Sequence, residues 1–290
     1  MSLHGGSGVQ PVGVGSDPAY ALSRSQEEYE RLSEQASFLG GTTERVFRAA
    51  GIEPGMRVLD VGSGAGDVAL LAAELVGPTG EVVGVESDGA ALEVARARVQ
   101  SLGLENITLV QGDARTVELN GAFDAVVGRL VLMYMADPGD ALRHIVEWAR
   151  PGGVVAFQEF DFDSALDSLS IPEGTLWDEI GRLVIETFAR AGTQMRMGRR
   201  LFGTFLAAGL PVPTMRDEAL IGGGREFGGY AWLAGVARSL APLMTKLKTT
   251  DADGLGLNTL ADRLRDDVVA RGAVVWSPSL IGAYARVPSP

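Results

Sequence analysis

The apolar residues between positions 57 and 165 follow two alternating patterns. Five short runs rich in Val, Ile and Leu alternate with longer stretches such as "DVALLAAELV"; the runs are "RVLDVG", "EVVGVES", "NITLVQGD", "AFDAVVGR" and "VVAFQEFD". The short runs predict strands, and the longer stretches, whose apolar residues recur every three or four positions, predict amphipathic helices. Strands that are apolar throughout are typical of a parallel sheet covered by helices on both faces.

Two more strand-like segments, "PTMRDEALI" and "AVVWSPSLIGAYARV", follow nearer the C-terminus. With the first five runs they predict an α/β fold built on a doubly wound, mostly parallel sheet of seven strands. Helical patterns fill the sequence after the fifth strand and again after the sixth. We therefore expect helical insertions at both places, in addition to a helical cap that precedes the first strand.

The same patterns divide the chain into four parts. Residues 1–16, rich in Gly and Ser, predict a flexible tail. Residues 17–50 predict the N-terminal helical cap, which we expect to lie across the open end of the sheet. Residues 51–165 form the predicted ligand-binding core, and residues 166–290 provide substrate-side helices and C-terminal strands of the same domain.

Composition narrows the classes of function. The net charge of −12 argues against a nucleic-acid partner, which would need a Lys/Arg surface, and favours a small-molecule substrate. The absence of cysteine excludes disulfides, thiolate nucleophiles and Cys-based metal sites, and two histidines, His4 and His144, are too few for a His-rich metal site. His144 lies in a helical pattern and is expected to be structural.

Two kinds of localisation signal are absent from the sequence. The N-terminal residues have no basic stretch followed by an apolar one, as a secretory signal would, and no apolar run approaches the roughly 18 residues of a membrane span. We expect a cytoplasmic protein that has no membrane partner and is a monomer or homodimer.

The glycine loop in "RVLDVGSGAGD" lies between the first strand and the first helix of the sheet, where ligands of this fold class bind. A dinucleotide-binding loop would have glycine at the first, third and sixth positions, which here are Gly62, Gly64 and Asp67. An acid at the last position would turn negative charge toward a pyrophosphate, and no Gly-Lys-Ser/Thr of a phosphate-binding loop follows. The loop permits close backbone approach but is not typical of a phosphate site.

With Asp60, Gly62, Gly64 and Gly66 in this order, the loop resembles that of class I S-adenosylmethionine-dependent methyltransferases. The resemblance spans roughly residues 20 to 210 and is strongest to the small-molecule enzymes related to ubiquinone/menaquinone-biosynthesis methyltransferases. It implies a Rossmann-like methyltransferase fold and S-adenosylmethionine as cofactor. The methionine part of that cofactor is a zwitterion, which Asp60 and the loop amides, including that of Ser63, could bind.

Two acids further along match family positions. Glu86, followed by Ser87, ends the second strand, where the resemblance implies that a carboxylate binds the ribose hydroxyls. Asp113 and the Ala114 amide follow the third strand, where the resemblance implies contacts to the adenine. The alternatives are an exposed acid at a strand end for Glu86 and a turn cap for Asp113.

The resemblance implies three more residues near the cofactor. The fourth strand lacks the Asn/Asp-Pro-Pro-aromatic motif of amino-group methyltransferases and has Arg129 instead, a position that in small-molecule relatives lies near the methionine portion. An ion pair at a helix start is the alternative for Arg129. Tyr20 and Gln35 stand near the N-terminal Tyr and Gln that close over the cofactor in the family.

Methyl transfer from a sulfonium is downhill, so positioning and the exclusion of water can supply most of the rate. A base is needed only if the acceptor must lose a proton, and the candidates are Tyr20, Tyr134 and the carboxylates of "FQEFDFD", with Glu159 foremost. Solvated surface acids are the alternative for the carboxylates. They resemble a metal-binding cluster, but the Asp-Asn pair of catechol-type enzymes is missing after them, so no metal is predicted.

Apolar residues that follow the fifth strand indicate the kind of acceptor. At helical spacing such residues are usually core, yet together they would favour a flat apolar acceptor above the cofactor; they are Trp177, Phe188, Met195, Met197, Phe202 and Phe205. We expect methyl transfer to a small aromatic or heteroaromatic secondary metabolite, phenol- or indole-like, with a ring carbon as one acceptor. O- or N-methylation, a noncatalytic cofactor- or partner-binding protein and a nicotinamide oxidoreductase are the alternatives.

Overall fold

The computed structural model describes residues 26–165, 168–250 and 252–289, with side chains from residue 38 onward except those of residues 252 and 253. The predicted tail at 1–16 and Tyr20 therefore lie outside the described residues. Gln35 lies on a described helix, but its side chain is outside the described part.

Strands and helices alternate along the described chain. The strands are β1 (Arg57–Val61), β2 (Glu81–Glu86), β3 (Ile107–Gln111), β4 (Phe123–Arg129), β5 (Ala149–Asp161), β6 (Ser170–Ile171), β7 (Thr214–Glu218), β8 (Ile221–Gly222), β9 (Val274–Trp276) and β10 (Ser279–Arg286). The helices are α1 (Gln26–Ala50), α2 (Asp67–Val76), α3 (Gly89–Ser101), α4 (Pro138–Val146), α5 (Leu176–Arg190), α6 (Met197–Ala207), α7 (Gly229–Leu247) and α8 (Leu260–Ala270).

Seven of these strands form one sheet in the order β3-β2-β1-β4-β5-β10-β7. The first five run parallel, whereas β10 is antiparallel to both β5 and β7. The order reverses between β1 and β4, so the carboxyl ends of these two strands flank the crevice where ligands of doubly wound sheets bind. The predicted fold class, a seven-stranded and mostly parallel sheet, is confirmed.

The two helical insertions are also present. Helices α5 and α6 follow β5, and α7 and α8 lie between β7 and the last strand of the large sheet. The segment "AVVWSPSLIGAYARV", predicted as one strand, is instead two, because Pro278 stands between β9 and β10. Strand β9 joins β6 and β8 in a separate three-stranded sheet that the sequence did not predict.

Helix α1 packs against α7, α2 and the β5 and β10 strands. Its last turns lie on a face of the sheet, since Val46 and Phe47 are buried in one cluster with Val127 and Ala156. The expectation that the cap lies across the open end is thus wrong for the described end of α1. One turn earlier, however, Thr43 reaches the carboxyl edge, where its hydroxyl accepts a hydrogen bond from Arg129.

A buried carboxylate, that of Asp178, lies in the first turn of α5 at the start of the first helical insertion. Asp178 accepts hydrogen bonds from the backbone amides of Leu169 and Gly174, at 2.7 and 2.8 Å, and from the Ser170 hydroxyl. It also completes a capping box with Thr175 at the start of α5. Burial alone would raise the pKa of Asp178, but these donors outweigh it and lower the pKa below its usual value.

Replacing this carboxylate tests how much it stabilises the fold. Asp178→Ala leaves several buried donors without an acceptor and should lower the free energy of unfolding at pH 7 by about 2 to 4 kcal/mol, measured by urea denaturation. Because the pKa is depressed in the folded protein, the difference should shrink as the pH falls below about 4. The control is Asp262→Ala, whose carboxylate is 66% exposed and pairs only within α8; an equal loss there would contradict the assignment.

Candidate active site

The glycine loop turns sharply at the end of β1. Gly62 has φ +67 and Gly64 φ +53, a region that glycine enters without strain. A Cβ on Gly62 would come within 2.6 Å of Val131, whereas a Cβ on Gly64 would meet nothing within 4 Å. The loop is therefore packed against the protein at Gly62 and borders open space at Gly64, as a loop that admits a ligand must.

Asp60 is the most unusual group beside this loop. Its carboxylate is fully buried, and neither oxygen has a hydrogen-bond partner in the part of the chain that the structure describes. The Ala69 amide is near enough to oppose the shift in pKa but does not reach hydrogen-bond geometry. Burial raises the pKa of Asp60 well above its usual value, the negative charges of Glu86 and Asp67 raise it further, and Arg129 opposes them. A buried acid of this kind lacks a cationic or hydrogen-bonding partner.

Arg129, Gln158 and Thr43 complete the same side of the carboxyl edge. The Arg129 guanidinium is 9% exposed and donates to the Thr43 hydroxyl at 3.0 Å. Gln158 on β5 is buried, its amide nitrogen donates to the Thr42 carbonyl at 3.5 Å, and its Oε1 has no partner. Side chains alternate along strands, which puts Arg129 and Gln158 on the α1 side together with Asp60. Sequence reasoning identified Arg129 and missed Gln158 and Thr43.

Glu86 ties the end of β2 to the glycine loop. Its Oε2 accepts from the Gly64 amide at 2.9 Å, and its Oε1 accepts from the Asp88 amide at 2.8 Å and from the exposed Ser87 hydroxyl at 3.2 Å. It is buried, so the alternative of an exposed acid at a strand end is wrong. A carboxylate has about four lone-pair sites and three donors already reach Glu86, so a ribose hydroxyl would share an oxygen with, or replace, one of them.

Two further predicted residues are Ser63, in the glycine loop, and Asp113, which follows β3. The Ser63 amide donates to Val85, and its buried hydroxyl has no partner. Asp113 accepts from the Arg115 amide and pairs with the Arg115 guanidinium, which lowers the pKa of Asp113. The turn-cap alternative thus describes its present contacts. Its adenine contact, like that of the half-buried Ala114, stays a prediction.

Asp67 does not face the loop as the sequence suggested. Its carboxylate is 8% exposed and pairs at 2.5 Å with Arg98, which also donates to the Ala65 carbonyl at 2.7 Å. The Asp67–Arg98 pair thus links the start of α2 to α3, and Arg98 also links the glycine loop to α3. A groove of about 830 Å³ runs along α2 past Asp67 to Arg129, but Asp60, Gly64 and Glu86 are not in its lining. The groove thus reaches the carboxyl edge only at Arg129 and otherwise runs along α2.

Glu159 points to the opposite side of the sheet. Its Oε1 accepts from the Val131 and Leu132 amides at 3.0 and 2.7 Å, and its Oε2 contacts the Met133 amide at 3.3 Å. Burial raises the pKa of Glu159 to about 8, against the effect of these amides. Since both short bonds go to Oε1, Oε2 is the oxygen suited to carry the proton. The geometry gives Glu159 the role of holding the turn after β4; a catalytic role stays a prediction.

The other predicted acids and Tyr134 are placed as follows. Tyr134 lies half-buried in the 3-10 turn Leu132–Tyr134 that Glu159 holds. Asp161 binds Arg199 through two bonds of 2.8 Å, and Asp163 pairs with Arg196 and Arg199. The carboxylates of "FQEFDFD" are therefore divided between backbone amides and arginines. The alternative of solvated surface acids does not describe Glu159 or Asp161, which are buried.

The aromatic and Met residues after β5 divide in the same way. Trp177, Met197 and Phe205 are buried in the core, and Phe188 stacks on Phe162 with ring centroids 5.6 Å apart. Phe202 is 45% exposed on α6, so the expectation that it packs in the core is wrong.

A family model for a methyltransferase domain matches residues 52–192 of the chain. Residues 52–192 therefore carry a methyltransferase domain of the class I S-adenosylmethionine-dependent type. Over 113 residues it is 37% identical to the ubiquinone/menaquinone biosynthesis C-methyltransferase UbiE of Ectopseudomonas mendocina, covering 38% of this chain and 44% of that protein. Over 136 residues it is 34% identical to a demethylmenaquinone methyltransferase of Staphylococcus aureus, covering 46% and 56%. The match thus spans about half the length of these curated relatives.

Among solved structures, the [4+2]-cyclase SpnF superposes with a TM-score of 0.53 at 19% identity, covering 86% of this chain and 82% of that one. The likeness concerns the fold alone.

S-adenosylmethionine is the cofactor of this methyltransferase family, and the residues at the carboxyl edge fit it. Asp60 offers two unpartnered carboxylate oxygens for the ammonium group, and the space beside Gly64 can admit the chain of the cofactor. Glu86 could accept a ribose hydroxyl by exchange with one of its present donors, such as the exposed Ser87 hydroxyl. The fit rests on the orphaned carboxylate, which needs a positive partner that the described protein groups do not provide by hydrogen bonding.

Replacing Asp60 should separate binding from stability. Asp60→Asn should weaken cofactor affinity roughly ten- to hundredfold in calorimetry, because a charged hydrogen bond to the ammonium is lost. The same change should raise the free energy of unfolding of the ligand-free methyltransferase by about 1 to 3 kcal/mol at pH 7. The pKa is raised in the folded state, so this gain should vanish as the pH falls toward about 4.

Asp67→Asn is the matched control for that experiment. It removes a buried acid seven residues away that is already paired with Arg98, so it should not stabilise the protein. Unchanged cofactor affinity in Asp60→Asn would overturn the assignment of Asp60.

A second prediction concerns the raised pKa of Glu159. Glu159→Gln mimics the protonated acid, and the parent should lose stability relative to this variant as the pH rises from about 4.5 to about 8. Urea unfolding across this range should show a change of about 2 to 4 kcal/mol in the difference. The exposed Glu147→Gln should stay within about 0.5 kcal/mol of the parent; a flat difference for Glu159→Gln would mean that the acid is charged throughout.

Proposed function

We propose that this protein transfers the methyl group of S-adenosylmethionine to a small aromatic or heteroaromatic metabolite, phenol- or indole-like, with an electron-rich ring carbon as the favoured acceptor atom. The observation that carries the proposal is the unpartnered carboxylate of Asp60 beside an open glycine turn, on a chain with a methyltransferase domain. The relatives named as C-methyltransferases support a carbon acceptor.

The residues at the carboxyl edge would position the cofactor. Asp60 would bind the ammonium, the Gly64 turn would accommodate the methionine chain, and Glu86 would bind the ribose. Arg129, held by Thr43, would favour the ionised form of Asp60, since its positive charge opposes the rise in the pKa of that acid. When bound, the cofactor supplies a methyl group activated by its positively charged sulfur.

The turn after β4 would face the acceptor. Glu159 fixes this turn through the amides of Val131, Leu132 and Met133, and Tyr134 is its last residue. Its position is set further by the Gln194 amide, which donates to the Met133 carbonyl at 2.9 Å. Tyr134 would take a proton from the acceptor or direct its hydroxyl group, and Glu159 would act as a positioning residue.

The direct test is a panel of phenols, indoles and quinols, incubated with cofactor whose methyl group carries an isotopic label. A labelled product and S-adenosylhomocysteine in equal amounts are expected. Consumption of an acceptor without label would instead indicate another reaction on this fold, as the name of the [4+2]-cyclase suggests for that protein. Cofactor binding with no conversion across the panel would favour a noncatalytic role.

Tyr134→Phe tests the proton-transfer role. It should lower kcat at saturating cofactor by tenfold or more, within the roughly 10²- to 10⁴-fold range of acid–base catalysis, while cofactor affinity stays unchanged. Tyr284→Phe is the control, because Tyr284 is a partly buried tyrosine on β10 that packs against the cluster on the α2 side. Parent turnover in Tyr134→Phe would remove this residue from the mechanism.

A further inference from the structure

Three rings from different elements form an aromatic wall beside the carboxyl edge: Phe38 of α1, Phe160 of β5 and Trp232 of α7. Trp232 stacks on Phe38 with centroids 5.0 Å apart and an interplanar angle of 25°, and its centroid lies 6.1 Å from that of Phe160. The wall continues to Phe162, whose centroid is 5.5 Å from that of Phe160. It is therefore a continuous and largely buried aromatic cluster assembled from distant parts of the sequence.

The aromatic wall lies next to Thr42 and Gln158 at the carboxyl edge, about one helical turn away along α1 and two residues further along β5. Phe38 lies four residues before Thr42 on α1, which corresponds to about 6 Å along the helix. Phe160 lies two residues after Gln158 on β5, on the same side of the strand and about 7 Å further along. Thr42 and Gln158 contact each other at the cofactor edge. The wall thus lies about 6 to 7 Å from these two residues, roughly the width of one aromatic ring.

Trp232 carries a polar group that has no hydrogen-bond partner among the described residues. The residue is 4% exposed, and its indole N–H is buried without a hydrogen-bond partner. The N–H of Trp177, by contrast, donates to the Trp276 carbonyl at 3.1 Å. An unsatisfied buried donor costs about 1 to 3 kcal/mol, and buried Trp N–H groups usually have a partner. A phenylalanine would fill the same wall without that cost.

We propose that the aromatic wall binds the methyl acceptor and that the Trp232 N–H donates a hydrogen bond to an oxygen atom of it. The acceptor class is then a flat aromatic molecule that carries a hydroxyl or carbonyl oxygen, rather than an unsubstituted indole or an aliphatic amine. This rests on the proposed function for the reaction itself, but the binding of the acceptor can be measured without turnover. Trp232 is a specificity-determining residue for that site.

The experiment uses the full protein loaded with S-adenosylhomocysteine, ¹⁵N-labelled at its four tryptophan indoles. The probes are 1-naphthol and naphthalene, which differ by one oxygen. The indole signal that disappears in Trp232→Phe is assigned to Trp232. We expect 1-naphthol to move this signal downfield in the parent, naphthalene to leave the N–H unbonded, and Trp232→Phe to bind 1-naphthol about tenfold more weakly, equivalent to about 1.4 kcal/mol.

Tyr230→Phe is the matched control. Tyr230 lies on the same helix, is buried and has an unpartnered hydroxyl, but its ring contacts are with Phe227 and Trp177 and do not include Phe38 or Phe160. It should bind both probes as the parent does. Thermal unfolding of both variants, with cofactor affinity measured by calorimetry, shows that any loss of probe binding is not loss of fold.

Several outcomes would overturn the proposal: equal affinity of parent and Trp232→Phe for 1-naphthol, an unmoved Trp232 signal, or no binding of 1-naphthol at millimolar concentration. If 1-naphthol binds through Trp232 but no compound of the panel is methylated, the acceptor site stands and the proposed methyl transfer fails. The two proposals are therefore distinguishable.

Discussion

The structure of the carboxyl edge depends on one buried group, the Asp60 carboxyl, whose two oxygens have no hydrogen-bond partner among the described residues. A buried carboxylate without hydrogen bonds is costly, and the neighbouring charges of Glu86 and Asp67 make it more so. Arg129 offsets part of this cost, and Arg129 is in turn held by Thr43 of α1. A cationic ligand bound as proposed would relieve this cost, so Asp60 would favour cofactor affinity and lower the stability of the ligand-free protein.

Glu159 is a second buried acid, and it differs from Asp60 in the donors that surround its oxygens. It is as deeply buried as Asp60, but three backbone amides meet its oxygens, so it orders a turn instead of awaiting a partner. Asp161 and Asp178 are likewise satisfied, by Arg199 and by a loop and helix start. Among these buried acids the distinction between binding and structural roles lies in the donors around each oxygen, and burial alone does not reveal it.

The same distinction marks what the sequence could predict. The five parallel strands, their crossover helices and the glycine loop follow from local patterns of apolar residues and glycine, and the structure places them as expected. The contacts of Asp67 with Arg98 and of Asp161 with Arg199 join residues 31 and 38 positions apart, so spacing could not indicate them. Gln158 adjoins the predicted Glu159, yet only strand register shows that the two face opposite sides.

The aromatic wall explains why the family relationship identifies the cofactor better than the acceptor. The family match covers residues 52–192, which include β1 to β5, the glycine loop and Phe160. Phe38 lies before this range and Trp232 after it. The residues that would select the acceptor therefore belong largely to segments outside the matched domain. If the acceptor binds as proposed, cofactor and acceptor would contact different parts of the chain, so that one could be retained while the other changes.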